Sequence, residues 1–149
     1  MKILFISAAL ASSPVVAQTI ECPRHFPAEA VPLPDRGASR GDSASLFPSR
    51  LSSAVIQVGE LHGSPVDVPP PARRVKDGWD TEYRFTSADT TWLVCRYGGD
   101  GTGFAGGAIT ESVEWWKKVV QGATFCLLRA REDRQPHSAG SWTAMAMCR

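Results

Sequence analysis

Residues 123–148 read ATFCLLRAREDRQPHSAGSWTAMAMC, and this stretch decides the fold. From Ser141 to Cys148, Trp142, Ala144, Ala146 and Cys148 alternate with Thr143, Met145 and Met147, the period of two expected of a strand with one buried face. Ala123 to Ala130 reads as a second strand, and the polar segment Arg131 to Gly140 between them collects the turn residues. In an antiparallel pair, Cys126 and Cys148 face each other when the turn centres on His137, inside that segment. The register therefore favours a Cys126–Cys148 disulfide and leaves Cys22 for Cys95. This is one of the three pairings that four cysteines permit.

Further strands follow upstream. Ala54-Val55-Ile56 with Val58 is β-branched, ends at Gly59, and reads as a first strand. Pro65 and the triple Pro69-Pro70-Pro71 then interrupt the pattern as a connector or sheet edge, because proline cannot donate to a ladder. A turn at Asp77-Gly78 introduces Trp79 to Phe85. Thr91 to Tyr97 alternates Trp92, Val94 and Arg96 against Leu93, Cys95 and Tyr97. These two runs are expected to pair as a hairpin through Ser87-Ala88-Asp89. Thr110 to Gln121 reads as one short helix, with Thr110 as cap and Val113, Trp116 and Val120 on one face. Val119-Val120 and the adjacent tryptophans fit a strand as well. Residues 27–48, with Pro27, Pro32, Pro34, Gly37 and Gly41, and the glycine-rich Gly98 to Gly107 read as loops. The expected fold is mainly β, a small antiparallel sandwich or partly open barrel with one short helix and two disulfides.

The first 17 residues carry Lys2, an apolar run from Ile3 to Ala11, the breaker Ser12-Ser13-Pro14 and small residues up to Ala17. That is the pattern of a cleavable signal peptide, and its apolar run is too short to span a bilayer. Cys22 follows Glu21 rather than a small residue, which argues against lipidation. Cleavage near Ala17 leaves residues 18–149 as a single disulfide-stapled domain in the periplasm or outside the cell, without an integral membrane segment. Losing Lys2 balances the remaining Lys and Arg against the 15 Asp and Glu. No basic face of the kind nucleic acid requires is implied.

No motif assembles a catalytic set. Gly37-Ala38-Ser39-Arg40-Gly41 has the spacing of a nucleophile elbow, but prolines precede it where a strand is needed. Gly101 to Gly106 has the spacing of a dinucleotide fingerprint without the parallel βαβ context or the later acidic residue. His25, His62 and His137 lie too far apart to present two imidazoles to a metal from one element. Asp80 and Glu82 share a strand face and read as acids on its solvent side. No cofactor and no metal are expected, and the chain reads as a non-enzyme. Recognition is better represented. Five tryptophans, at 79, 92, 115, 116 and 142, are many for this length, and on a strand adjacent Trp115 and Trp116 point to opposite faces. Trp115, Trp116, Tyr97, Phe104 and Lys117 are the candidate partner-binding residues.

The leader, Ile20-Glu21-Cys22-Pro23, Trp79-Asp80, Trp92-Leu93-Val94-Cys95-Arg96-Tyr97 and two late cysteines together resemble a family of small periplasmic Gram-negative proteins. Some members of it look like immunity partners of type VI-secreted, peptidoglycan-attacking toxins of the L,D-transpeptidase-like kind. Leu93-x-Cys95-x-Tyr97 is also similar to the small β-barrel lysozyme inhibitors of the periplasm, although their inhibitory loop signature is not evident. The resemblance implies a non-enzymatic inhibitor that occludes a cell-envelope enzyme or toxin, its protein partner. The rival expectations are a small cell-wall hydrolase whose histidine and carboxylate meet on folding, and a structural envelope protein.

Overall fold

The computed structural model describes residues 17–27, 50–61, 70–98, 112–133 and 141–149. The segment up to Val16 read as a signal peptide, the turn expected around His137, the loop expected from Gly99 to Gly107 with Phe104, His62, and all of residues 27–48 but Pro27 lie outside them. Eight strands are described: β1 (Gln18–Glu21), β2 (Leu51–Val58), β3 (Arg73–Val75), β4 (Gly78–Arg84), β5 (Thr91–Tyr97), β6 (Val113–Lys118), β7 (Phe125–Asp133) and β8 (Ser141–Cys148). They form a five-stranded sheet, ordered β1-β8-β7-β4-β3, and a three-stranded sheet, ordered β2-β5-β6. All pairings are antiparallel. The architecture is a sandwich rather than a closed barrel. Among the described residues no helix is long and apolar enough to cross a membrane.

The β7–β8 hairpin has the register read from the sequence, with Cys126 opposite Cys148 and Asp133 opposite Ser141. Phe125 and Arg149 exchange both backbone hydrogen bonds, so the cysteines occupy the adjacent non-hydrogen-bonded pair. There the backbones approach most closely, with Cα atoms 4.1 Å apart. From 126 to 130 and from 144 to 148 the even-numbered residues point inward: Cys126, Leu128, Ala130, Ala144, Ala146 and Cys148 are all buried. The small side chains at 130, 144 and 146 give β2 room to pack over β7 and β8. From the other sheet, Ala54, Ile56, Leu93, Cys95 and Tyr97 complete the core.

Two expectations are corrected. Residues 110–121 do not form a helix where they are described: Val113–Lys118 is strand β6, the outer neighbour of β5. Its six residues gain a full ladder against β5, whereas a helix of that length has few internal hydrogen bonds and a costly nucleus. Nor do Trp79–Phe85 and Thr91–Tyr97 form a hairpin. β4 pairs with β3 and β7, β5 with β2 and β6, and the segment between them crosses from one sheet to the other. The turn chemistry was correctly located. Asp89 accepts a hydrogen bond from the Thr86 N–H at 2.7 Å and donates its own N–H to the Thr86 carbonyl at 3.1 Å. Such a turn serves an arch between layers as well as a hairpin within one. The partner of β4 is instead β3, through a tight turn at Lys76-Asp77. Gly78 follows that turn at φ +151°, and a Cβ there would lie 2.0 Å from the Ala130 carbonyl oxygen. Only glycine allows β4 to approach β7 so closely at that point.

The N-terminal arm fastens the layers together. β1 adds to the edge of the five-stranded sheet beside β8, and Cys22 then forms a disulfide with Cys95 on β5 of the other sheet. One residue on, the Tyr97 hydroxyl donates to the Pro23 carbonyl at 2.7 Å, and Phe26 packs edge-on against the Tyr97 ring. At the opposite end, the Val120 N–H donates to Gln18 Oε1 at 2.6 Å. Burial pushes the Tyr97 phenol well above its usual range, and it raises Tyr83 too, against an opposing backbone hydrogen bond at Ile56.

Candidate functional site

Strand parity sorts the aromatic residues. On β5, Leu93, Cys95 and Tyr97 face the core, so Trp92, Val94 and Arg96 face outward. β6 lies beside β5 with Trp116 opposite Val94 and Trp115 opposite Cys95. Trp115 therefore packs against the core, and Trp116 stands half-buried on the outer face. There it meets Trp92 edge to face, ring centroids 5.6 Å apart. The Lys118 ammonium lies over the Trp92 ring, 5.7 Å from its centroid. The Trp92 indole N–H donates to the Gly59 carbonyl at 3.1 Å, which fixes its ring. Beside them Arg96 and Glu114 pair at 2.9 Å. The outer face of the small sheet is thus an amphipathic patch: two orthogonal indoles, a cation against one of them, and an ion pair at the side.

Of the candidate partner-binding residues, Trp116 lies on this patch and Lys117 is exposed on the edge strand. Two of the others are corrected. Tyr97 is fully buried because its parity is that of Cys95, and Trp115 faces the interior for the same reason. Phe104 lies outside the described residues. Sequence reasoning missed Trp92 and Lys118. Their signal was present, since Trp92 sits at an odd spacing from Cys95 and so on the face opposite a disulfide-bonded, inward residue.

The outer face of the five-stranded sheet is chemically different. One row across the strands runs Glu21 (β1), Met145 (β8), Arg129 (β7), Asp80 (β4) and Arg73 (β3), each opposite the next. Asp80 is not the solvent-side acid expected. It is buried, because Arg131 Nη2 holds its Oδ1 at 2.6 Å and Arg73 Nη2 its Oδ2 at 3.4 Å. Glu82 remains exposed, so no carboxylate pair forms. Arg131 is anchored further by Nη1 contacts to the Trp79 and Ala130 carbonyls, both 2.9 Å. Arg24 pairs with Asp133 at 3.7 Å. Arg129 differs from both. Its Nε is buried without a hydrogen-bond partner, a situation that costs about 1–3 kcal/mol relative to a satisfied donor. It lines a concavity of about 390 Å³ together with Glu21, Arg24, Arg131, Thr143 and Met145.

Among the described residues no group of three or more His, Cys, Asp or Glu is placed to hold a metal ion. His25 is exposed, and His62 and His137 are not described. No known protein family, curated protein or solved structure matches the chain.

Proposed function

We propose that the mature chain is an exported, periplasmic binding protein without catalytic activity of its own, and that it inhibits a cell-envelope, peptidoglycan-acting enzyme by covering part of its surface. The observation that carries this reading is the outward Trp92–Trp116 pair with Lys118 over it. Fixed indoles supply a large contact area at a small loss of side-chain freedom, and Trp is the residue most enriched at binding hot spots. The scaffold suits such a role. Two disulfides, one within a sheet and one between sheets, are typical of an oxidising compartment and hold the patch in one shape before binding.

Crosslinking pull-downs from envelope extract, followed by inhibition assays of the recovered enzyme on purified peptidoglycan, test the proposal. Wild type recovers and inhibits an envelope enzyme, and the double variant Trp92→Ala/Trp116→Ala loses affinity by more than about tenfold while remaining folded. Equal recovery by both proteins, or a recovered enzyme that is not inhibited, overturns it.

A further inference from the structure

We infer that the cleft on the outer face of the five-stranded sheet is a second, separate binding site, and that it takes a small zwitterion of the amino-acid type. The carboxylate goes to Arg129 and the ammonium to Glu21. Three arginines line the cleft, but Arg131 is matched by Asp80 and Arg24 by Asp133. Among the described residues Arg129 forms no ion pair, and neither does Glu21 on the opposite wall. The cleft is left, among the described residues, with one free cation and one free anion.

Geometry sets their spacing. Arg129 and Glu21 occupy the same cross-strand row with Met145 between them, so their backbones stand two strands apart, about 10 Å. Both side chains line the same concavity as Met145, and side chains of their length reaching towards each other across that distance would leave a gap of a few atoms. An α-amino acid, with its two charges on adjacent carbons, fits such a gap, and its aliphatic portion can rest on the methionine. The Arg129 Nε is buried, so a carboxylate meets the guanidinium at its terminal Nη groups, whose parallel N–H donors can grip two carboxylate oxygens. A bound carboxylate supplies the counter-charge that the described residues do not. A phosphate dianion meets the Glu21 carboxylate instead and is disfavoured. The concavity, about 390 Å³ and half-open to solvent, has room for a ligand of this size.

The test is a titration of the disulfide-bonded mature protein, uniformly labelled with ¹⁵N, followed by NMR at the Arg129 side chain and at Glu21, Thr143 and Met145. Glycine and Nε-acetyl-lysine both present a free amine beside a free carboxylate. Saturable shifts at these residues are expected with either, and tighter binding of the second identifies the end of a larger molecule as the source. Nα-acetyl-glycine, lacking the ammonium, and glycinamide, lacking the carboxylate, each bind at least about tenfold more weakly. Arg129→Lys keeps a charged stem without the fork and weakens glycine binding by a similar factor. Glu21→Gln, at an exposed position, weakens glycine but leaves Nα-acetyl-glycine unchanged. Absence of saturable shifts with both zwitterions overturns the inference, as does equal binding of glycine and Nα-acetyl-glycine. These outcomes do not depend on Trp92 or Trp116, so the two sites fail or stand independently.

Discussion

The two sheets of this sandwich bury similar apolar faces inward and present opposite chemistry outward. The three-stranded sheet shows indoles and a cation. The five-stranded sheet shows arginines, carboxylates and a cleft, with Phe125 lying between the guanidinium groups of Arg84 and Arg149 at its far end. Their disulfides differ in the same way. Cys126–Cys148 joins neighbouring strands that already share a ladder, whereas Cys22–Cys95 joins the residue after β1 to β5 of the other sheet. Inward parity builds one core, while each outward face is free to specialise.

The largest test separates the two bridges. The 22-residue separation of Cys126 and Cys148 and the 73-residue separation of Cys22 and Cys95 correspond to about 3 and about 4.5 kcal/mol of loop-closure entropy. Urea unfolding of Cys22→Ala/Cys95→Ala should accordingly show the greater loss. If the Cys126→Ala/Cys148→Ala protein is the less stable, the bridge between sheets is not the main clasp. Next in size is the contrast between adjacent tryptophans. Trp115→Ala removes a group packed on the core and should cost about 3 kcal/mol, and Trp116→Ala about 1 kcal/mol. Equal costs by thermal unfolding break the assignment of inward and outward faces.

A smaller effect probes the charged sheet. Asp80→Asn removes the carboxylate shared by Arg131 and Arg73, whose side chains are 34% and 76% exposed. Solvent screening of those partners limits the loss to about 1–2 kcal/mol, with a weaker dependence of stability on salt than in the wild type. Smallest is a pH effect on the clasp. Tyr97 holds its proton in the folded state above the pH at which an unfolded tyrosine ionises, so its contribution is complete below pH about 10 and declines as pH rises beyond it. The slope is at most about 1.4 kcal/mol per pH unit. Tyr97→Phe, though less stable at neutral pH for want of the Pro23 hydrogen bond, should show a shallower alkaline decline. An unchanged slope rules out Tyr97 as its source.

Much of the fold was legible because a strand with one buried face writes its period into the sequence. Ser141 to Cys148 displayed that period, and the polar segment around His137 then determined the register. The helix expected over 110–121 failed because Val113 to Lys118 satisfies both periodicities over so short a run. The Trp79–Phe85 to Thr91–Tyr97 hairpin failed for a different reason. Residues 86–89 specify a reversal of the chain, and a reversal is equally compatible with pairing and with crossing to the other layer. Trp116 was recognisable as a surface aromatic, but its partner Trp92 lies 24 positions away and meets it only across the ladder. Arg129 gave no local signal at all, since being unpaired depends on Asp80 having been taken by Arg131 and Arg73.

The amino-acid sequence alone determined the β class, the alternation along β8, and the facing of Cys126 and Cys148, because these follow from local alternation and from one short turn. Only the tertiary structure decided which strands share a sheet, which carboxylate neutralises which arginine, and which tryptophans touch. Those outcomes come from competition among distant partners for the same edges and charges, and no local stretch of chain contains the terms of that competition.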